Sequence, residues 1–296
     1  MNIRAIVSAL LFLAPIARGE TTINSGNRYA YGANLGWIDC RADGANGARI
    51  GEFICVGFVY AANVGWISLG NGAPANGIRY QNNSAADFGV NHDDVGNLHG
   101  LAWGANVGWL VFTNRDAAGA PFDSPKVDLR TGRLGGFVYG ANLGWISLSN
   151  AVAFVQTDSI APGIDSDGDG LPDAWELSYA GNLAAMNATS NSDGDGATDL
   201  QEYLADTNPL FPGDELRITS FDFAAKGTNT TVTWSSRPTR FYHLQIRPDL
   251  NPGSRWIDGG LGLIPPDAGA TTTRTLTDTA ASQRYLRIEA ARPLAP

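Results

Sequence analysis

"YGANLGWID" at residues 31–39 returns as "YAANVGWIS" at 60–68, as "WGANVGWLV" at 103–111 and as "YGANLGWIS" at 139–147. Each copy runs aromatic, small residue, Ala, Asn, Leu or Val, Gly, Trp, aliphatic. Strand-favouring residues flank Asn-x-Gly on both sides, the pattern of a hairpin whose type I turn ends in a left-handed glycine. Gly36, Gly65, Gly108 and Gly144 are then turn glycines, and the tryptophan after each restarts a strand. A further strand precedes the later hairpins. "PKVDLRTGRLGGFVYGANLGWISL" breaks at Arg130-Thr131-Gly132 and again at Asn142-Leu143-Gly144, and the preceding copy breaks in the same places. The unit is thus a three-stranded meander.

The central asparagines, Asn34, Asn63, Asn106 and Asn142, lie 29, 43 and 36 residues apart. Periods of this length imply stacked or radially arranged units, none able to bury its own apolar face alone. Three strands per unit suit a sandwich or barrel-like stack better than four-stranded propeller blades. Trp37, Trp66, Trp109 and Trp145 admit two readings. As core, they repeat because the packing between units repeats. As ligand-binding residues, they form a row of aromatic platforms for sugar rings, with Tyr31, Tyr60, Trp103 and Tyr139 beside them. The core reading is the simpler, and the asparagines read first as turn formers.

The chain opens with Arg4, an apolar run from Ala5 to Ala17 and small residues at Ala17 and Gly19. That is the order of a secretory signal peptide over 1–19, too short an apolar run to span a bilayer. The two cysteines, Cys40 and Cys55, flank a Gly/Asn-rich excursion. In an exported chain they are expected to form a disulfide, stabilising by roughly 3 kcal/mol. Abundant glycine and only 17% charged residues favour a mainly β protein.

The formal charge of −9 is concentrated in one place. Eleven of the 29 acidic residues and none of the 20 Lys and Arg fall between 161 and 214, leaving 18 acids against 20 bases elsewhere. A nearly neutral body with an acidic belt has no basic stripe for nucleic acid.

Within the belt, "DSDGDGLPDAWE" puts Asp165, Asp167 and Asp169 at positions 1, 3 and 5, Gly170 at 6, Leu171 at 7, Asp173 at 9 and Glu176 at 12. "NSDGDGATDLQE" repeats the series with Asn191, Asp193, Asp195, Gly196, Ala197, Asp199 and Glu202. Oxygens at alternate positions, a glycine for the sharp turn, a carbonyl at position 7 and a final bidentate glutamate describe a loop wrapped round Ca2+. Hard oxygen donors without His or Cys exclude zinc-like chemistry, so two calcium ions are expected. Pro162 and Gly163 rule out an entering helix, whereas "DAWELSYA" and "LQEYLAD" suit short exiting helices. Pro172, at position 8 of the first loop, has no N–H to bridge to a paired loop, which favours a static site over a switch.

The belt resembles the thrombospondin type 3-like calcium repeats of secreted bacterial multidomain proteins, over about residues 165–210 and including the "EYLADTNP" ending. The resemblance implies a calcium-stiffened spacer. Dockerin modules use related duplicated loops, which raises an assembly role as an alternative. Residues 215–293 divide into short alternating runs ("ELRITSFDF", "TTVTWSS", "RFYHLQIRP", "TTTRTLTD", "QRYLRIEA"). Such runs suggest a sandwich, and the segment looks like a fibronectin type III or immunoglobulin-like module with Trp234, Tyr242 and Trp256 in its core.

The expected organisation is a signal peptide at 1–19, a four-copy β-meander domain at 20–155, a calcium-loop and helix spacer at 161–214 and a β-sandwich at 215–293. No nucleophile motif, phosphate loop or HExxH occurs. His92, Asp93 and Asp94 read as a solvated turn. A carbohydrate-active enzyme needs two carboxylates converging in a cleft, and the candidates Asp39, Asp87, Asp94, Asp116 and Asp128 do not recur with the repeat. The expected function is that of a secreted or cell-surface, non-catalytic calcium-binding protein of a bacterium, with a polysaccharide or an extracellular protein as partner. The alternatives are a secreted carbohydrate-active protein and a dockerin-like assembly element.

Overall fold

The computed structural model describes residues 20–115, 122–223, 229–277 and 285–296, so the expected signal peptide lies outside them. The chain divides into two compact units, one of residues 20–166, 172–181 and 294–296, the other of residues 167–171 and 182–293.

In the first unit the four repeats form four hairpins, Ile23–Gly32 with Gly36–Asp39, Phe58–Ala61 with Gly65–Ser68, Leu98–Gly104 with Gly108–Val111, and Phe137–Gly140 with Gly144–Ser147. The outgoing strand of each pairs antiparallel with the incoming strand of the next: Ile38 with Ala61, Ile67 with Gly104, Leu110 with Gly140. The fourth returns to the first through Ile146 and Gly32. Four copies therefore close an eight-stranded antiparallel barrel, leaving no free edge between hairpins. The third meander strand is present as Arg49–Ile50, Val90–His92 and Lys126–Val127, each paired just ahead of its hairpin.

The repeated sentence can now be read residue by residue. The turn glycines have φ of +78° to +83°, a region costly for any side chain. The aliphatic residue before each (Leu35, Val64, Val107, Leu143) folds inward and roofs the barrel end. The small residue three positions earlier lies beneath that roof: a Cβ on Gly104 would sit 2.7 Å from Val107, and one on Gly32 3.2 Å from both Leu35 and Ile146. Ala30, Val59, Ala102 and Val138 on one strand, and Ile38, Ile67, Leu110 and Ile146 on the other, fill the interior.

The asparagines do more than form turns. Asn63 Nδ2 donates to the carbonyl of Leu35 at 3.0 Å, Asn106 to Val64 at 2.9 Å, Asn142 to Val107 at 3.0 Å, and Asn34 to Leu143 at 3.0 Å. Each tip is thereby tied to the tip of the preceding hairpin, and the fourth bond closes the ring.

The expected disulfide is not formed. Cys40 and Cys55 are separate buried thiols in the apolar barrel interior, where each packs as a small hydrophobe. Burial pushes both up to about 12, far from thiolate chemistry. The 43-residue spacing between the second and third copies accommodates an insertion over 70–89. Tyr80 is buried there: its N–H donates to Asn91 Oδ1 at 2.9 Å, and its hydroxyl accepts from Gly72 N at 2.6 Å.

The second unit contains two three-stranded antiparallel sheets. Ile218–Phe223, Asn229–Ser235 and Thr271–Thr277 form one, and Ile257–Asp258, Phe241–Arg247 and Tyr285–Ala291 the other. Val232, Trp234 and Leu276 from the first meet Tyr242, Leu244 and Ile288 from the second in one core, with Trp234 edge-on to Tyr242 at 5.9 Å. Trp256 is not core. It is half-buried against the guanidinium groups of Arg247 and Arg287, 5.8 and 4.8 Å from its ring.

Candidate metal centres and exposed aromatic face

In each acidic loop the chain winds by carboxylates catching nearby backbone amides. Ser166 N donates to Asp173 Oδ1 at 2.8 Å, and Ser192 N to Asp199 Oδ1 at 2.9 Å. Likewise Leu171 N donates to Asp169 Oδ1 at 2.9 Å, and Ala197 N to Asp195 Oδ1 at 2.6 Å. Positions 2 and 9, and positions 5 and 7, are thus joined identically in both copies. These bonds hold the loops in shape.

Asp193, Asp195 and Glu202 bring one oxygen each within 4.8 Å of one another. Glu202 is fully buried, and among the described residues neither of its oxygens meets a donor, nor does Asp193 Oδ2 or Asp195 Oδ2. Burial first, then Asp193, Asp195, Asp199 and Asp214, push Glu202 up to about 8. Buried carboxylate oxygens without a donor are costly, and a divalent cation is the partner that satisfies several at once. Asp199 is already engaged by Ser190, Ser192 and the loop backbone, in keeping with position 9 acting through water. In the first loop Asp165, Asp167 and Asp173 form one such group and Asp167, Asp169 and Glu176 another, with Glu176 fully buried. Both donor sets fit calcium.

Each loop runs into a short helix, α1 (Asp173–Tyr179) and α2 (Asp199–Ala205). This places Glu176 and Glu202 one turn in, directed back at the loop. A Thr198/Gln201 capping box starts α2, and Asp206 in the left-handed conformation ends it. The buried Arg240 donates at 2.9 Å to the carbonyls of both Tyr203 and Leu204, the last turn of α2. Arg237 donates to the Asp206 carbonyl at 3.0 Å and pairs with Asp214. The loop pattern could not have shown these sandwich arginines. Nor could it have shown Glu215, whose charge, after burial, helps raise Asp195.

These two segments match the bacterial TSP3 repeat. The family model covers residues 165–181 and 192–212, the first loop whole and the second from its second position, each with its exiting helix. Repeats of this family bind calcium, and the carboxylate groups above suit that ion. No curated protein and no solved structure matches the chain. Among the described residues no helix is long and apolar enough to cross a membrane.

The tryptophans overturn the core reading. Trp37, Trp66, Trp109 and Trp145 point out of the barrel and are 38–50% exposed, and their neighbours Tyr31, Tyr60, Trp103 and Tyr139 are 37–39% exposed. Each tryptophan leans on its cross-strand partner, at centroid distances of 5.0, 4.9, 4.6 and 4.9 Å in chain order. A second ring flanks each: Tyr29, Phe58, Phe88 and Phe137. A large apolar side chain is expected inside. Here strand alternation decides, because the aliphatic residue next to each tryptophan already takes the inward direction.

The isolated acids are engaged singly. Asp39 pairs with Arg28 at 3.3 Å, and Asp94 with Arg79 at 3.5 Å. Asp87 accepts from the backbone of Ala75 and Gln81, and Asp128 from that of Arg130 and Thr131. Asp116 lies outside the described residues. His92 is not part of a solvated turn. It is buried at a strand end, with Nδ1 2.8 Å from the Gly51 carbonyl and Nε2 without a partner among the described residues, and burial holds it below the usual histidine value.

Proposed function

We propose that this chain is a secreted or cell-surface, non-catalytic bacterial protein that binds two calcium ions and uses the outer face of its barrel as a recognition surface for polysaccharide. The exposed tryptophans carry this reading. Four copies of a Trp–aromatic pair stand outside a barrel whose interior is complete without them. Exposed apolar surface of this extent marks a contact site, and aromatic faces stack on the apolar faces of sugar rings. The calcium loops supply folding free energy to an otherwise self-repelling acidic segment, at the weak affinities of extracellular modules, about 0.1–1 mM. The non-catalytic reading is supported by the separate engagement of Asp39, Asp87, Asp94 and Asp128. We assign the C-terminal sandwich to the fibronectin type III or immunoglobulin-like class from its sheet composition.

The test is a polysaccharide array probed with the mature chain in millimolar calcium and in EDTA. Binding that Trp66→Ala and Trp109→Ala each weaken, with the circular dichroism spectrum unchanged, supports the reading. Array binding that survives both substitutions removes the girdle from it.

A further inference from the structure

A cleft of about 360 Å3 opens in the first unit beside the short ladder of Arg49–Ile50 with Cys55–Val56. Its volume is within the range of small-molecule sites. Phe53, Pro74 and Ile78 contribute apolar walls, and three charged residues, Arg49, Glu52 and Asp173, also line it.

Other arginines of this unit are engaged. Arg28 meets Asp39, Arg79 meets Asp94 and the Phe53 ring, and Arg133 meets Ser149 and the Phe154 ring. Arg49 differs. It is half-buried, yet among the described residues its guanidinium has no carboxylate, carbonyl or ring partner, and burial lowers its pKa without any opposing carboxylate. A half-buried guanidinium with no carboxylate beside it keeps its donors for an anion that enters the cleft. Its planar fork of donors matches a carboxylate in bidentate fashion. Glu52 lines the same cleft and disfavours any ligand carrying two or more negative charges.

We propose that this cleft is a binding site for a small organic monocarboxylate with an apolar body, its carboxylate held by Arg49 and its body lying against Phe53, Pro74 and Ile78. The site is separate from the aromatic girdle and does not depend on the polysaccharide reading.

Phenylacetate is a suitable probe, with its neutral analogue phenylacetamide and inorganic phosphate as comparators, titrated into the mature chain in millimolar calcium and followed by NMR and calorimetry. Saturable binding of phenylacetate at one site is expected, with phenylacetamide about tenfold weaker or worse for want of the charge-assisted pair. Arg49→Met should abolish saturation and leave the melting temperature equal or raised, while Arg49→Lys keeps partial affinity. Equal affinity in Arg49→Met overturns the proposal, as does an absence of saturation in the unsubstituted chain. Phosphate binding more tightly than phenylacetate overturns the monocarboxylate class. A fall of several degrees in the melting temperature of Arg49→Met overturns it as well, because the guanidinium would then serve the fold.

Discussion

The barrel and the acidic belt are both written as repeats, but they differ in what their copies leave unsatisfied. The four barrel copies satisfy one another: each hairpin gives its neighbour strand pairing, a roofing aliphatic residue and a side-chain amide. The two acidic copies satisfy their own backbone, and the second still directs buried carboxylate oxygens, those of Asp193, Asp195 and Glu202, at one another. A repeat whose polar groups all find partners within the chain is explained by the fold. One that leaves a buried charge set over is explained by what it binds. In the barrel, the part left over is on the outside, in the tryptophans.

Removing calcium should therefore break the comparison most visibly. For each site, an ion at a hundredfold excess over its Kd stabilises the folded state by about 2.7 kcal/mol. EDTA should accordingly lower the melting of the belt and sandwich by on the order of 10 °C and expose 161–214 to protease. Calorimetry showing the same transitions with and without EDTA would refute this. A comparable effect within the barrel needs a cavity: Ile67→Ala, at a fully buried position, should cost about 2–5 kcal/mol in denaturant unfolding without altering calcium affinity.

The pH dependence sharpens the contrast. Glu202 is raised from an ordinary carboxylate to about 8, so the ion-free fold holds a proton there that the unfolded chain releases above about 4.5. The associated stability is complete below that pH and is lost as pH rises through 8. Calcium must displace this proton, so its affinity for the second loop should rise from pH 6 to pH 8, by up to about tenfold per unit, with proton release seen by calorimetry in buffers of different ionisation enthalpy. A flat profile would mean that Glu202 is already ionised without the metal. The smallest effect expected is in the amide ring. Asn106→Ala should cost about 1 kcal/mol, and an unchanged denaturation midpoint would reduce the ring to geometry without energy.

Much of this was legible in the residues. Asn-x-Gly with flanking strands predicted the turns, and the turn glycines have the positive φ they require. The DxDGDG series predicted the oxygen clusters and the exiting helices. Closure was not legible, because nothing local to any copy states that Ile146 will pair back to Gly32. The direction of the tryptophans was not legible for a related reason. In "GWIS" both Trp and Ile suit a core, and only the closed barrel's limited interior decides that the smaller one enters. Cys40 and Cys55 read as a bridge from their setting and chain spacing, yet each occupies the place of an ordinary small core residue. His92 was hidden because the sequence places it beside two aspartates, Asp93 and Asp94, while the strand Val90–His92 turns it inward.

The ring of side-chain amides has no first member, and the barrel's outer ends also meet, Ile23 pairing with Thr157 and Asp158 N donating to the Thr22 carbonyl at 2.8 Å. The order in which the hairpins are translated is therefore immaterial to the finished object. A circular permutant joining 157 to 22 and opening between any two hairpins would present the same interior and the same four exposed pairs. Fusion points could then be moved around the circumference while the recognition surface stays as it is.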